Sequence, residues 1–185
     1  MNIGVLALQG AFAEHRQVLD RLGAGSFEIR CSDDLKKACD GLILPGGEST
    51  VMGKLLRDLE LFEPLGERIA AGMPVLGTCA GLILLAKRLQ EDDTVHFGCM
   101  DITACRNAYG RQLGSFFTRA AFGEREIPMT FIRAPYIVSA GEGVEVLSVV
   151  DGRIVAARQE QMLACAFHPE LSEDSTVHKL FLSMI

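Results

Sequence analysis

Residues 75–84 read Val-Leu-Gly-Thr-Cys-Ala-Gly-Leu-Ile-Leu, an apolar run that enters a Gly-x-Cys-x-Gly turn and leaves it as a second apolar run. This pattern is the cysteine counterpart of the Gly-x-Ser-x-Gly nucleophile elbow, in which a strand turns sharply into a helix. Gly77, Ala80 and Gly81 supply the small side chains that such a bend requires. A helix that starts directly after Cys79 points free N–H groups at the sulfur and stabilises a thiolate. The stretch therefore predicts a nucleophilic cysteine between a strand and a helix.

Apolar runs on both sides of this turn indicate the fold. In the first half, strands are predicted at residues 3–8, 41–44 and 75–77, and helices at 12–22, 50–56, 62–71 and 80–89. This alternation is typical of βαβ units around a parallel sheet covered by helices. The second half has short extended segments at 95–103, 127–133, 144–149, 154–158 and 163–167, then an amphipathic segment at 176–184. We expect one α/β domain over residues 1–185: a three-layer, flavodoxin-like, mostly parallel central sheet flanked by helices, with additional antiparallel strands in the second half.

Composition excludes several classes of protein. The 185 residues carry a formal net charge of -6, which disfavours a nucleic-acid partner because phosphate binding requires clustered Lys and Arg. The longest apolar stretch, residues 73–86, is interrupted by Gly and Pro and is shorter than the roughly 20 residues of a membrane helix. No basic stretch precedes the first apolar run, so we expect no signal peptide, no membrane partner and a cytoplasmic location. Six scattered cysteines and four histidines, without a close Cys-x-x-Cys pair, predict no metal site, and we expect no cofactor.

A histidine and a glutamate follow the last predicted strand. His168 and Glu170 are two residues apart on an extended segment, so their side chains project to the same side. A cysteine hydrolase needs an imidazole to move a proton and a carboxylate to hold that imidazole in the useful tautomer. Taken singly, each of these residues, and the elbow cysteine too, has a structural explanation, but the combination predicts a catalytic triad. His15, His96 and His178 have no carboxylate at this spacing, and we assign them structural roles.

Residues 45–50, Pro-Gly-Gly-Glu-Ser-Thr, form a second candidate loop at the end of a predicted strand. Paired glycines let backbone N–H groups face a ligand closely, and we assign the N–H groups of Gly47 and Ala80 to an oxyanion hole. Glu48 is a candidate for binding an α-amino group, and its alternative role is to stabilise the first turn of a helix. A phosphate-binding loop is less well supported, because no Lys follows the glycines.

The elbow, the glycine loop and the Phe-His-Pro-Glu sequence at 167–170 together resemble the class I (triad) glutamine amidotransferases. Further segments, at residues 7–10, 14–15, 106–112 and 131–135, resemble the PdxT/SNO family, the glutaminase subunits of pyridoxal 5'-phosphate synthase. The resemblance covers essentially the whole chain. Two departures, Glu160 in place of a small residue and Cys165 in place of a Thr-Ser ending, lie outside the triad.

The resemblance implies hydrolysis of L-glutamine to L-glutamate and ammonia through a cysteine thioester. The ammonia would be channelled to a synthase subunit that makes pyridoxal 5'-phosphate (vitamin B6), within a large hetero-oligomer. It also implies that Gln9 lies near the partner. The residues that it places around glutamine are Gly47, Glu48, Ser49, Arg106, Ile132 and Arg133. Guanidinium groups suit a carboxylate, although either arginine could also be a solvated surface charge.

Two other functions are compatible with an elbow cysteine. One is an independent cysteine hydrolase of similar fold, such as a peptidase or a γ-glutamyl hydrolase, which would need neither the arginines nor a partner. The other is a non-enzymatic thiol-sensing domain, which leaves His168, Glu170 and the glycine loop unexplained.

Overall fold

The computed structural model describes residues 1–106 and 115–185. The strands are β1 (Asn2–Leu6), β2 (Gly25–Ile29), β3 (Gly41–Leu44), β4 (Val75–Thr78), β5 (Ala86–Leu89), β6 (Met100–Cys105), β7 (Ser115–Phe122), β8 (Arg125–Ile132), β9 (Tyr136–Ala140), β10 (Glu145–Val150), β11 (Arg153–Gln159) and β12 (Met162–Cys165). The helices are α1 (Phe12–Arg21), α2 (Ser49–Asp58), α3 (Phe62–Ala70), α4 (Ala80–Leu85) and α5 (Thr176–Leu182), with 3-10 turns at Ser32–Lys36 and Pro169–Leu171.

Most strands join one large sheet in the order β2-β1-β3-β4-β12-β11-β9-β6-β5, with β10 paired to β11. Pairing is parallel from β2 through β12, antiparallel around β11 and β9, and parallel again between β6 and β5. Strands β7 and β8 form a separate antiparallel ribbon. The prediction of an α/β fold with a mostly parallel sheet and added antiparallel strands is confirmed.

The centre of the sheet carries the core and positions the site. Every residue of β3, β4 and β12 is buried, as expected of strands covered on both faces. β4 lies between β3 and β12, so the carboxyl ends of these three strands meet at one edge of the sheet. Ligands bind at this edge in open α/β sheets. Within residues 1–106 and 115–185, no helix is long and apolar enough to cross a membrane.

The predicted helix at 80–89 is wrong in its second half. Helix α4 ends at Leu85, and Ala86 takes an extended conformation that starts β5. Its register on β6 pairs Ala86 with Met100 and Leu89 with Ala104, which buries both β5 residues. Pairing with a strand that is distant in sequence therefore overrides a local pattern compatible with a helix.

Other differences concern short or partly exposed strands. Strands β2, β7 and β9 lie where no strand is predicted, and each is mostly exposed or half-buried, which gives only a weak apolar signal. In the segment predicted at 95–103, the strand begins only at Met100. Residues 107–112, which contribute to the family resemblance, lie outside the described residues.

Candidate active site

Cys79 occupies the bend between β4 and α4. Its backbone has φ 50° and ψ -102°, a conformation that is rare for a residue other than glycine and typical of a nucleophile elbow. Its backbone N–H donates a 2.8 Å hydrogen bond to the carbonyl of Cys165, which ties the bend to the end of β12. The elbow predicted from the sequence is therefore present, with Cys79 at the point of strain.

The two glycines of the elbow are required by close packing. A Cβ on Gly77 would lie 2.7 Å from the carbonyl group of Gly81, and a Cβ on Gly81 would lie 1.9 Å from the carbonyl oxygen of Leu44. Both distances are far below van der Waals contact, and the obstructing atoms belong to backbone that cannot move aside. The prediction that this bend needs small residues is confirmed.

His168 and Glu170 stand beside the elbow. The backbone N–H of His168 donates a 2.8 Å hydrogen bond to the carbonyl of Thr130 on β8, and the Pro169–Leu171 turn follows it. Nδ1 of His168 lies 2.7 Å from Oε1 of Glu170, and the side chain of Cys79 lies close enough to the same imidazole to raise its pKa. The three side chains thus form a continuous chain from sulfur to carboxylate.

The electrostatic environment of these side chains favours the charged forms of His168 and Glu170. Burial by itself lowers the pKa of His168, but the interaction with Cys79, the hydrogen bond to Glu170 and the negative charge of the carboxylate outweigh it and raise the pKa to about 10. Burial opposes ionisation of Glu170, yet the nearby His15 and the hydrogen bond from His168 hold the pKa of this carboxyl below its ordinary value. A protonated imidazole therefore faces Cys79.

One pocket of about 380 Å³ opens above the cysteine. It is lined by Gln9, Gly10, Ala11, Gly46, Gly47, Glu48, Ser49, Thr50, Cys79, Ala80, Ile83, Arg106, Ile132, Arg133, Pro135 and His168. Every site residue proposed from the sequence is in this lining except Glu170, which lies behind His168. Nothing in the sequence selects Ile83, which is an ordinary apolar position until the chain folds, and Pro135 is marked only by the family resemblance of residues 131–135.

The glycine loop packs closely against both the histidine and the segment that contains Gln9. A Cβ on Gly10, where φ is +86°, would lie 1.6 Å from the carbonyl oxygen of Gly46. Oε1 of Gln9 accepts a 3.0 Å hydrogen bond from the backbone N–H of Glu48. On the other side of the pocket, Ala80 is the first residue of α4, where a backbone N–H has no partner within the helix. Gly47 and Ala80, the two residues assigned to the oxyanion hole, therefore both line the pocket.

Two arginines give the pocket positive charge. Nη1 of Arg106 lies 3.3 Å from Oγ1 of Thr50 and 3.3 Å from Oδ2 of Asp92. Among the described residues, its buried Nε and Nη2 have no hydrogen-bond partner, so these donors remain available. Arg133 is largely exposed, and its Nη2 lies 3.4 Å from Oε1 of Glu48. The site therefore offers cationic donors and one acidic side chain around an otherwise small pocket.

His15 is a contact of the triad that the sequence interpretation missed. It was assigned a structural role, yet its Nε2 lies 3.4 Å from Oε2 of Glu170 and 3.1 Å from Oγ1 of Thr78. The only signal in the sequence is that residues 14–15 belong to a segment of the family resemblance. No group of three or more His, Cys, Asp or Glu side chains in the described part of the chain is arranged to hold a metal ion.

The similarities of this chain to known proteins agree with the geometry of the site. A model of the SNO glutamine amidotransferase family matches residues 5–185. The pyridoxal 5'-phosphate synthase subunit PdxT of Methanocorpusculum labreanum is 62% identical, over 100% of this chain and 98% of the relative. The PdxT subunit of Streptococcus pneumoniae is 57% identical, over 100% and 97% of the two chains. A solved structure described as a glutamine amidotransferase is 42% identical with a TM-score of 0.92, covering 98% of this chain and 97% of its own.

Proposed function

Because this chain belongs to the SNO glutamine amidotransferase family, we propose that Cys79, His168 and Glu170 are the triad with which it hydrolyses L-glutamine to L-glutamate and ammonia. The observation that carries the assignment is the position of the His168 ring, which is hydrogen-bonded to Glu170 and lines the pocket beside Cys79. Such a chain of nucleophile, base and orienting carboxylate is what acyl transfer through a cysteine requires.

In the first half of the reaction, the Cys79 thiolate attacks the side-chain carboxamide carbon of glutamine, so that a C–S bond forms while the C=O π electrons move to the oxygen. The negative charge on the carboxamide oxygen is stabilised by the N–H groups of Gly47 and Ala80, and losing one such donor costs about 10²–10³ in rate. The His168 imidazolium gives its proton to the amide nitrogen, the C–N bond breaks and ammonia leaves. The product is a thioester on Cys79 and a neutral imidazole.

In the second half, water replaces ammonia. His168 takes a proton from the water as its oxygen attacks the thioester carbon. The C–S bond then breaks, glutamate is released and the thiolate–imidazolium pair is restored. Glu170 does not gain a proton in either half, and it holds Nδ1 of His168 and stabilises the imidazolium.

The lining of the pocket suits an amino acid. Arg106 and Arg133 can bind the α-carboxylate, while Glu48 can bind the α-amino group. Ser49 and Ile132 complete the wall that we assign to glutamine. A volume of about 380 Å³ lies within the range of small-ligand pockets.

The relatives that carry the name PdxT are subunits of pyridoxal 5'-phosphate synthase. With identity of 57–62% over the full length, we infer that this chain delivers its ammonia to a synthase subunit in a hetero-oligomer and that residues 1–185 act as one glutaminase domain. An independent cysteine hydrolase or a thiol sensor would not account for the combination of triad, paired N–H donors and arginines.

The proposed function is tested by Cys79→Ala, assayed for ammonia release from glutamine with and without the synthase subunit. We expect release to be abolished by the variant, while added ammonia still supports pyridoxal 5'-phosphate formation by the variant complex. The matched control is Cys99→Ala, because Cys99 is half-buried and lies outside the pocket. Retained glutamine hydrolysis in Cys79→Ala would exclude the triad. Equal wild-type rates with and without the synthase subunit would favour an independent hydrolase.

A further inference from the structure

Behind the triad, two histidines form a buried polar cluster with Thr78 and Glu170. His15 on α1 and His178 on α5 are both fully buried. Nδ1 of His15 lies 2.9 Å from Nε2 of His178, and Nε2 of His15 lies 3.1 Å from Oγ1 of Thr78. The same Nε2 is 3.4 Å from Oε2 of Glu170. No step of the reaction described above uses either histidine.

The contacts of the cluster select one arrangement of protons. Burial lowers the pKa of His15 and lowers that of His178 to about 3, so both rings are neutral near pH 7 and each carries one N–H. If His15 carries its ring proton on Nε2, that N–H faces Thr78 and the Glu170 carboxylate. Nδ1 of His15 then accepts a hydrogen bond from Nε2–H of His178. The opposite tautomer would turn a lone pair toward the carboxylate. It would also leave an N–H on His178 Nδ1, which has no partner among the described residues.

The carboxylate of Glu170 needs such a donor. Oε1 is held by His168, but Oε2 is buried and has no well-formed hydrogen bond within the described part of the chain. A buried carboxylate oxygen without a donor is costly, and the N–H of His15 is the polar group that faces it. We propose that His15 is a positioning residue that holds Oε2 of Glu170, so that Oε1 stays directed at Nδ1 of His168.

This inference rests on the proposed function, and the contact with Thr78 extends it. Thr78 immediately precedes Cys79, so the same imidazole N–H contacts the strand of the nucleophile and the carboxylate at the far end of the triad. His15 lies on α1, and this helix begins directly after Ala11, a residue that lines the pocket. The pocket wall and the triad carboxylate are therefore joined through a single short helix.

The groups that act electrostatically on the pKa of His15 are Glu170, His168 and Glu14. Those that act on the pKa of His178 are His15, Glu170 and Arg21. Glu14 lies on the same helix as His15, and the other charges belong to the segment after β12 or to the end of α1. Because His15 is neutral, it acts on Glu170 through the dipole of its N–H rather than through a full charge.

Three substitutions at this position separate positioning from packing. His15→Gln can place an amide N–H near the position of Nε2 and a carbonyl near that of Nδ1. His15→Asn is shorter, so it keeps a partner for His178 and loses the contact with Glu170. His15→Leu removes both contacts. Val18→Ala, a buried change on the same helix, is the matched control for loss of packing.

The readouts are kcat, KM and the pH profile of glutamine hydrolysis by the full chain with the synthase subunit, together with thermal unfolding. We expect kcat to fall about tenfold in His15→Asn and His15→Leu, because Glu170 loses the polar group that faces its buried Oε2, with little change in KM. The acid limb should move to higher pH, because Glu170 loses a group that favours its ionised form. His15→Gln and Val18→Ala should stay within about threefold of the wild-type kcat.

Wild-type kcat and an unchanged acid limb in His15→Asn would overturn the inference, as would an equal loss in Val18→Ala. If His15→Leu does not fold, the comparison of His15→Asn with His15→Gln still separates positioning from packing. A second readout, alkylation of Cys79 by iodoacetamide as a function of pH, requires no glutamine. A wild-type chain that does not hydrolyse glutamine would overturn the proposed function, whereas an active wild type with an equally active His15→Asn would overturn only the role of His15.

Discussion

The backbone of Gly46 lies directly against the imidazole ring of His168, since a Cβ built on this glycine would come within 2.4 Å of Cε1 and 3.1 Å of Nδ1. The same added atom would lie 3.3 Å from Cβ of Cys79. The glycine loop therefore sets how closely the histidine can approach the nucleophile, in addition to offering N–H donors.

Gly46→Ala should displace His168 from its position beside Cys79 and lower kcat for glutamine hydrolysis by about 10²-fold or more, since small misplacements of catalytic groups have effects of this size. The measurement is kcat with the synthase subunit present. Gly66→Ala is the matched control. Gly66 lies within helix α3, and its added Cβ would meet only Phe97, at an ordinary contact distance of 3.5 Å. An active Gly46→Ala enzyme would show that the His168 ring can move without loss of function.

Arg106→Lys should raise KM for glutamine about tenfold and leave kcat nearly unchanged. Lysine keeps the charge but loses the planar pair of donors that suits a carboxylate, and a contact made equally in ground and transition states affects KM alone. Arg16→Lys is the control, since Arg16 forms its ion pair with Glu28 outside the pocket. A fall in kcat with unchanged KM would assign Arg106 to the chemical step instead of substrate binding.

The buried His178 should make the protein sensitive to acid. Burial lowers its pKa to about 3, whereas the unfolded chain takes up this proton near pH 6.5. Between these values the unfolded state binds more protons, so stability is fully present above pH 6.5 and is lost as the pH falls toward 3. For this one residue the loss between pH 8 and pH 5 is about 2 kcal/mol.

The free energy of unfolding in urea at pH 8 and pH 5 measures this effect. We expect the difference between the two values to shrink by about 2 kcal/mol in His178→Gln, because the substituted side chain does not titrate. An unchanged difference would mean that His178 is already protonated in the folded protein or that the cluster opens before global unfolding.

Local motifs could be interpreted from the sequence because their geometry depends on a few neighbouring residues. The bend at Cys79 follows from small residues on either side of it. The spacing of two predicts a contact between His168 and Glu170 on an extended segment, whereas the contact forms across the 3-10 turn at Pro169–Leu171. The same reasoning failed for residues 86–89, where an apolar pattern continued the predicted helix but the chain pairs with β6 instead. Local propensity is weaker than the burial gained by joining a sheet.

The sequence by itself determined the chemistry of this protein: a thiol at a strained turn, an imidazole with a carboxylate two residues away, and a glycine loop able to present N–H groups. Only the tertiary structure decided which distant groups stand around them, placing His15 and His178 behind Glu170 and Gly46 against the ring of His168. Spacing along the chain constrains neighbours through bond geometry. Contacts between distant helices and strands arise from packing of the whole core, and no short sequence pattern predicts them.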